Sequence, residues 1–583
     1  MSASFNNPLS FINIPIQSIE RIEIIKGPAS VTYGTGAFLG VVNIITTSQE
    51  NKTDVYTSIG SQDTYNAGIN IHRKENNLYY TINVGIGKTD GIDQNFKDIG
   101  LDTNLLISKF MHEQFGYAGI SVNNEYIYSS LTIDRNTNNR PMVSLPYLSD
   151  KYETRSDYYS FKYILGTNYQ ISDNILFNAS YQYKYFKTEL VFDLFGLDYN
   201  METQVLAENA HETDANFKMH LFKKSYLSLG ANYQYTGNYK DYLDIPLLGF
   251  TNHIKTLNSP MEIWGFYGRL GWSLTNDIMF RSGVKLEKIY PYELQLDANK
   301  GNDYIDPGST ITDSSFVATY TYPDYGYSVL PEFSLLWNLN NKNSLKLIYA
   351  KAVNKLSIFR INKAQSGIKP EYIHSFEINH TGIISDKVSI NTSLFYNNYT
   401  DLIATEFYIE DNTSIQIANN SGKLRTIGAE LALDYRPLDD LHIYLAGNYN
   451  NSEDLNYKSD YPAFSPKFLG TLNISYNIRT FTFALTNHYV SKTEPIYSYA
   501  LSDPNDINSA PVGRVGDSAP AYLNTGLNTI YKPKFIKGIS ANVRISNLFD
   551  QKMYYPVNDI NDLSFKGTLG ISRTILAGVS YKF

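Results

Sequence analysis

Cysteine is missing from all 583 residues, which excludes a disulfide framework, thiolate zinc sites and a cysteine nucleophile together. Tryptophan is almost missing too, with 3 residues, and charged residues are held to 18% of the chain, against about a quarter in an average soluble domain. No apolar run reaches the ~18 residues of a transmembrane helix. Residues 1–17, MSASFNNPLSFINIPIQ, lack the basic start and continuous apolar stretch of a secretory leader. The net charge of −8 disfavours a polyanionic partner, so no nucleic acid is expected.

Enzyme motifs are broken where they begin. His112-Glu113 and His211-Glu212 start like HExxH, but Gly116 and Ala215 stand where the second histidine belongs. Gly87-Lys88-Thr89 ends like a phosphate loop, but Ile82 replaces its first glycine. No G-x-S-x-G occurs. No catalytic residue, resident cofactor or metal site is expected, and the loop acids Asp503, Asp506 and Asp517 show no calcium-loop spacing.

What the chain does contain is tyrosine, 50 residues of it, and a period of two. In YLSLGANYQYTG the residues Leu227, Leu229, Ala231, Tyr233 and Tyr235 share one face, with Ser228, Gly230, Asn232 and Gln234 on the other. ILFNASYQYKYF, RTFTFALTNHYV and LHIYLAGNYN repeat the pattern, which marks half-buried strands. Short Asn/Asp connectors at 73–78, 171–174, 274–277, 339–343, 384–387 and 437–440 alternate with long polar ones at 135–157, 290–325, 404–420, 452–466 and 493–520. Short turns on one side and long loops on the other are the signature of strands crossing a membrane. A propeller would instead show a period of about 40–50 residues. The expected fold is all-β, a transmembrane antiparallel β-barrel, and from Thr53 onward the chain has room for about 22 strands. The last stretch, ISRTILAGVSYKF, alternates to a terminal Phe583, as the assembly signal of bacterial outer-membrane barrels does.

The stretch SIERIEIIKGPASVTYGTGAFLGVVNIITT, residues 18–47, resembles the second half of the plug domain of TonB-dependent receptors, where an IERIEVxKGPASxxYGxxAxGGVINIIT pattern is usual. Leu39 departs from it, standing where glycine is common. GIKPEYIHSFEINH (367–380), SLFYNNYTDLI (393–403), NNSGKLRTIGAELALDYRP (419–437) and ISNLFDQKMYYP (545–556) are similar to that family's barrel motifs. The resemblance implies a plug in residues 1–52 and a barrel in 53–583, outer-membrane lipid around it, a monomer, a small-molecule ligand and energy supplied by the TonB complex. It also implies that basic plug residues, Lys26 and with it Arg21, form ion pairs with wall glutamates Glu377 and Glu430. A buried pair of this kind holds firmly when made and is costly to break. As the sequence stands, the leader, the TonB box and the first half of the plug are expected to lie upstream of Met1.

Family base rates favour a ferric siderophore, with haem, cobalamin, oligosaccharide or a non-energised leaky barrel as alternatives. The FRAP and NPNL elements of haem receptors are absent from VNKLSIFRINKAQSGIKPE. An iron chelate carrying anionic aryl groups suits aromatic loops with an arginine. YTYPDYGYS offers Tyr322, Tyr325 and Tyr327, and EPIYSYALSDPNDINSAPVGR offers Tyr497, Tyr499 and Arg514. His211 and His253 are read as outer-loop histidines.

Overall fold

The structure is a computed structural model. It describes residues 14–583 except 47–50, 100–105, 140–154, 193–201, 246–249, 257–258, 300–315, 355–367, 411–412, 456–461, 502–510 and 558–565 and the single positions 35, 111, 223, 496 and 515.

Alternation does close into a ring. The wall is a closed barrel of 22 antiparallel strands, from Lys52–Gly60 to Thr574–Lys582. First and last strands pair directly, Asp54 opposite Lys582 and Gly60 opposite Leu576, so no wall edge is left open.

The two faces differ in chemistry as the period of two requires. Along Glu371–Ser385, Phe376 and Ile378 point outward and are exposed, whereas Ile373 and Ser375 point inward and are buried. Outward apolar side chains form an exposed apolar band around the ring, as a wall in contact with lipid requires. All three tryptophans, Trp264, Trp272 and Trp337, are on it. Near one rim sit the ring pairs Phe222–Trp272, Phe481–Tyr531 and Tyr581–Phe583. Aromatic rings also cover glycines of the neighbouring strand. Phe395 lies over Gly428 so closely that a Cβ there would meet its ring at 2.1 Å, which pins the register.

The short connectors are tight turns at that same rim. Glu75 faces Leu78 across Asn76-Asn77, with Asn76 at φ 54°, and Ser385 faces Val388 across Asp386-Lys387. Several stretches read as long loops are strands instead. Val388–Glu410 and Thr413–Leu438 pair as far as Glu410 opposite Thr413, so 404–420 is a hairpin extension rather than a loop. Residues 290–325 contain Tyr292–Asn299 and Phe316–Tyr322. Together with Phe250–Thr256 they continue the upper end of Tyr226–Ile245 as a sheet beyond the rim. Here cross-strand pairing outcompeted the polar composition from which a loop was expected. His211 likewise lies on the strand Glu202–His220, its ring among Tyr181, Tyr183 and Tyr235.

Inside the ring sits a small two-stranded unit. Strand β1 (Arg21–Lys26) pairs antiparallel with β2 (Gly40–Ile45), and the short helix α1 (Ser30–Tyr33) lies between them.

Candidate functional site at the plug–wall contact

The lumenal unit is folded by its glycines. Gly27 takes φ 76° and ends β1 ahead of Pro28, a conformation that glycine adopts without strain. Gly40, at φ 154°, brings β2 so close to β1 that a Cβ there would lie 2.5 Å from Ile25 O. Between them the backbone closes on itself: Ala29 N donates to Ala37 O, Gly34 N to Ser30 O and Ala37 N to Gly34 O.

This unit reaches the wall in three directions. Beside strands Thr64–Glu75 and Leu78–Thr89, Ser18 Oγ donates to Asn70 Oδ1 (2.7 Å) and Asn70 Nδ2 donates to Gln17 O (2.9 Å). Lys52 pairs with Glu20 at 3.1 Å. On a second side, Arg269 Nη1 donates to Thr32 Oγ1 at 3.1 Å. On the third, Lys26 Nζ donates to Glu430 Oε2, and Asn448 Nδ2 donates to the other oxygen of Glu430 at 2.8 Å.

The four residues expected to pair across the lumen therefore divide. Lys26 and Glu430 meet. Glu377 stands next to them, its carboxylate 3.6 Å from where a Cβ on Gly27 would be. Arg21 does not reach the wall: its Nε donates to Glu23 Oε1 at 2.8 Å along β1, and Asn43 Nδ2 holds the second Glu23 oxygen at 3.0 Å. The Arg21 guanidinium, helped by the Asn43 amide, keeps the Glu23 carboxyl below the usual carboxylate range. In a strand, residues two apart share a face, so Arg21 and Glu23 neutralise each other before either can turn to the wall. Nor is the Lys26 pair buried: 65% of the Lys26 side chain and 22% of that of Glu430 are exposed.

Beside this pair lies a cavity of about 840 Å³ between the hairpin and the wall, lined by Lys26, Phe38, Leu39, Ile373, Phe395 and Glu430 among others. It presents one cation, Lys26, and two carboxylates, Glu377 and Glu430, among apolar and aromatic side chains, which suits a ligand with an aryl body and charged groups.

The aromatic candidates of the outer loops are placed differently. Tyr322 is buried in a cluster with Tyr239, Met261, Ile263, Tyr292, Leu294 and Ile368. Its ring stacks on Tyr292, and Tyr325 meets it edge-on. Tyr327 is exposed, with Lys288 5.5 Å from its ring centre. Tyr322 and Tyr325 thus pack against each other in the cluster while Tyr327 faces outward, and the three form no common surface for a ligand. Tyr497 pairs through its backbone with Arg514, while the side chains of Tyr497 and Tyr499 lie outside the described residues. Arg514 donates to Pro495 O at 2.7 Å and lies 3.8 Å from Glu494, closing the neck of its loop.

The motifs at the mouth interlock. Glu371 accepts from Ile403 N (2.9 Å) and from Asn354 Nδ2 (2.6 Å). Asn420 accepts from Lys369 N (2.6 Å) and donates to Lys369 O (2.8 Å) and Asp401 O (2.6 Å). The KPE, TDLI and NNSG stretches are one polar clamp at the root of the long hairpin. Arg269, Lys285 and Glu287, which also face the lumenal unit, were not found from the sequence, because they sit on wall strands of ordinary alternation and no motif marks them.

Comparison with known proteins agrees with this architecture. The family model described as TonB dependent receptor-like, beta-barrel, matches residues 33–548, and the TonB-dependent Receptor Plug Domain model matches residues 1–41. The vitamin B12 transporter BtuB of Vibrio vulnificus is 47% identical over 53 residues, 9% of this chain and 9% of its own length. The ferric enterobactin receptor of Pseudomonas aeruginosa is 39% identical over 90 residues, 14% of this chain and 12% of its own. The chain thus spans far less than two thirds of these relatives in its sequence matches. In structure it is similar to the ferric-catecholate import receptor Fiu of E. coli K12 in its closed form: TM-score 0.74, 15% identity, 97% of this chain and 86% of that one.

Proposed function

Because the chain belongs to the TonB-dependent receptor family, whose members are outer-membrane proteins of Gram-negative bacteria, we propose that it is a receptor for uptake of a ferric siderophore, energised through TonB. Its relatives and structural neighbours are receptors and transporters rather than enzymes. The observation that carries the reading is the cavity of about 840 Å³ between the hairpin and the wall: it offers rings at Phe38 and Phe395 to an aryl-bearing chelate, whose anionic groups would compete with Glu430 for the Lys26 ammonium. The local match to a ferric enterobactin receptor supports it. In this reading Tyr497 and Tyr499 are ligand contacts from the outer loop, while Tyr322 anchors a loop.

Uptake of a radioiron-loaded catecholate chelate into cells bearing the receptor, compared with cells lacking it and with cyanocobalamin and haem as parallel arms, tests the proposal. TonB-dependent iron accumulation is expected. Accumulation of cyanocobalamin without iron would overturn it, and the stronger local match to a B12 transporter makes that arm necessary.

A further inference from the structure

We propose that the plug is held chiefly by a knob-and-socket contact, α1 with its flanking Ala29 and Ala37 seated on the wall strands Ile278–Ile289, Tyr327–Asn340 and Asn343–Asn354, rather than by the Lys26–Glu430 ion pair. The inference rests on reading the hairpin as the plug of an uptake receptor.

Burial separates the two contacts. Every residue of β1 is exposed, and the Lys26 side chain is 65% exposed; a solvated pair of that kind contributes little. Ala29, Ser30, Val31 and Ala37 are all buried, Val31 to 2%. The wall has made room for them. A Cβ on Gly283 would stand 2.9 Å from Val31 Cγ1, so the valine fills a gap that exists because residue 283 has no side chain. Arg269 reaches Thr32 from the neighbouring strand Met261–Ser273.

The floor of the socket is charged. Lys285 Nζ lies 2.7 Å from Glu287 Oε2, and each side chain is 2% exposed. Lys285 lies flat over Gly265, where a Cβ would come within 2.5 Å of its Cε, and its ammonium is 3.2 Å from where a Cβ on Gly34 would sit. Seating the knob therefore does two opposed things. It buries Val31 and the alanines, which favours closure, and it removes water from an ion pair, which opposes closure because desolvation offsets most of the attraction within such a pair. The contact is tight in shape yet limited in strength, as a seat must be if it holds the plug at rest and still lets go under pull.

Amide hydrogen exchange of Tyr33, Gly34 and Ala37 in the full chain, reconstituted in lipid, reads the seat without any ligand. Failure to transport every ligand tried would therefore sink the uptake reading and leave this one standing. Gly283→Ala is expected to speed exchange at these amides about tenfold or more, and the double variant K285M/E287M to slow it, since apolar residues of similar volume keep the packing without the desolvation cost. Glu430→Gln is expected to stay within about threefold of the parent. Heat-modifiable migration on gels confirms that the wall is intact, and Val31→Leu, made from the plug side, probes the same gap if Gly283→Ala does not assemble. Exchange that is unchanged in Gly283→Ala or Val31→Leu, or faster in K285M/E287M, or as fast in Glu430→Gln as in Gly283→Ala, overturns the proposal.

Discussion

Lys26 and Glu430 stand 404 positions apart in the chain and touch across the lumen. Glu430 is also held by Asn448, so the two ends of the pair are not equivalent. Lys26→Ala and Glu430→Gln should each cost roughly 0–1 kcal/mol. Glu430→Ala, which leaves the Asn448 amide without its acceptor, should cost about 1 kcal/mol more. Urea midpoints of plug unfolding in the three variants give the order; equal losses in all three would contradict it.

Gly40 is the position where the hairpin tolerates no side chain. Its φ of 154° and the 2.5 Å approach of a Cβ to Ile25 O predict that Gly40→Ala destabilises the hairpin by about 1–3 kcal/mol. Gly27, whose Cβ position is 3.6 Å from its nearest neighbour, should lose less, about 1 kcal/mol, from its positive φ alone. Limited proteolysis within residues 21–45 should show Gly40→Ala cut faster than Gly27→Ala.

Asn547 is buried at φ 49° and donates to Gln551 O (2.9 Å) and Ile571 O (3.3 Å), while accepting from Gln551 N (2.9 Å). Asn547→Ala removes all three bonds and strains the backbone; Asn547→Gly removes the bonds alone. Losses of about 2–4 and 1–3 kcal/mol follow, seen as lower thermal transition temperatures on heat-modifiability gels. A glycine variant less stable than the alanine one would refute the strain component.

Asp324 in the Pro323–Gly326 turn accepts from Lys288 Nζ at 2.7 Å and from Gly326 N at 2.8 Å. The Lys288 ammonium, and after it the Gly326 amide, hold the Asp324 carboxyl below its ordinary value. A depressed carboxyl contributes stability that is full above its unfolded value, about 3.9, and that fades as pH falls through the folded one. Acidification below about pH 4 should thus loosen this turn. Protection of the Gly326 amide, taken relative to the intrinsic exchange rate at each pH, should fall there in the parent and stay flat with pH in Asp324→Asn, which keeps the Gly326 contact without a titrating group.

Leu394 points outward from the strand Val388–Glu410 and is exposed on the outer face. Leu394→Arg should cost about 2–4 kcal/mol if it lies near the bilayer midplane, against a near-neutral change for Leu394→Ile. Folding titrations into vesicles measure both, and an arginine penalty no larger than the isoleucine one would place this face away from lipid.

The wall was legible because its signal is local. Strict alternation in stretches such as Ile175 to Tyr185, and Asn/Asp at turns such as Asn76-Asn77, are each decided within a few residues. The plug hairpin was legible from one dense motif, and with it Lys26, while Glu430 came from the separate barrel stretch 419–437. What could not be read depends on where distant strands bring side chains. Arg21 was expected at the wall because it is a basic residue of the same plug motif as Lys26, yet Glu23 two residues on captures it. Tyr322 was expected in a ligand site because its loop is aromatic, yet Tyr292, thirty positions earlier, stacks on it in a buried cluster. The socket residues Gly283 and Lys285 carry no local mark at all, since a glycine and a lysine on a lumen-facing strand become a seat only once Val31 arrives.

The pairing of Asp54 with Lys582 sets an order on biogenesis. Until the strand Thr574–Lys582 reaches it, the first wall strand keeps one row of amides and carbonyls unmatched, and Phe583 N donating to Thr53 O finishes the seam. The wall strand earliest in the chain is therefore an open edge until the latest one is in place, and its backbone needs shelter for as long as the ring stays unclosed.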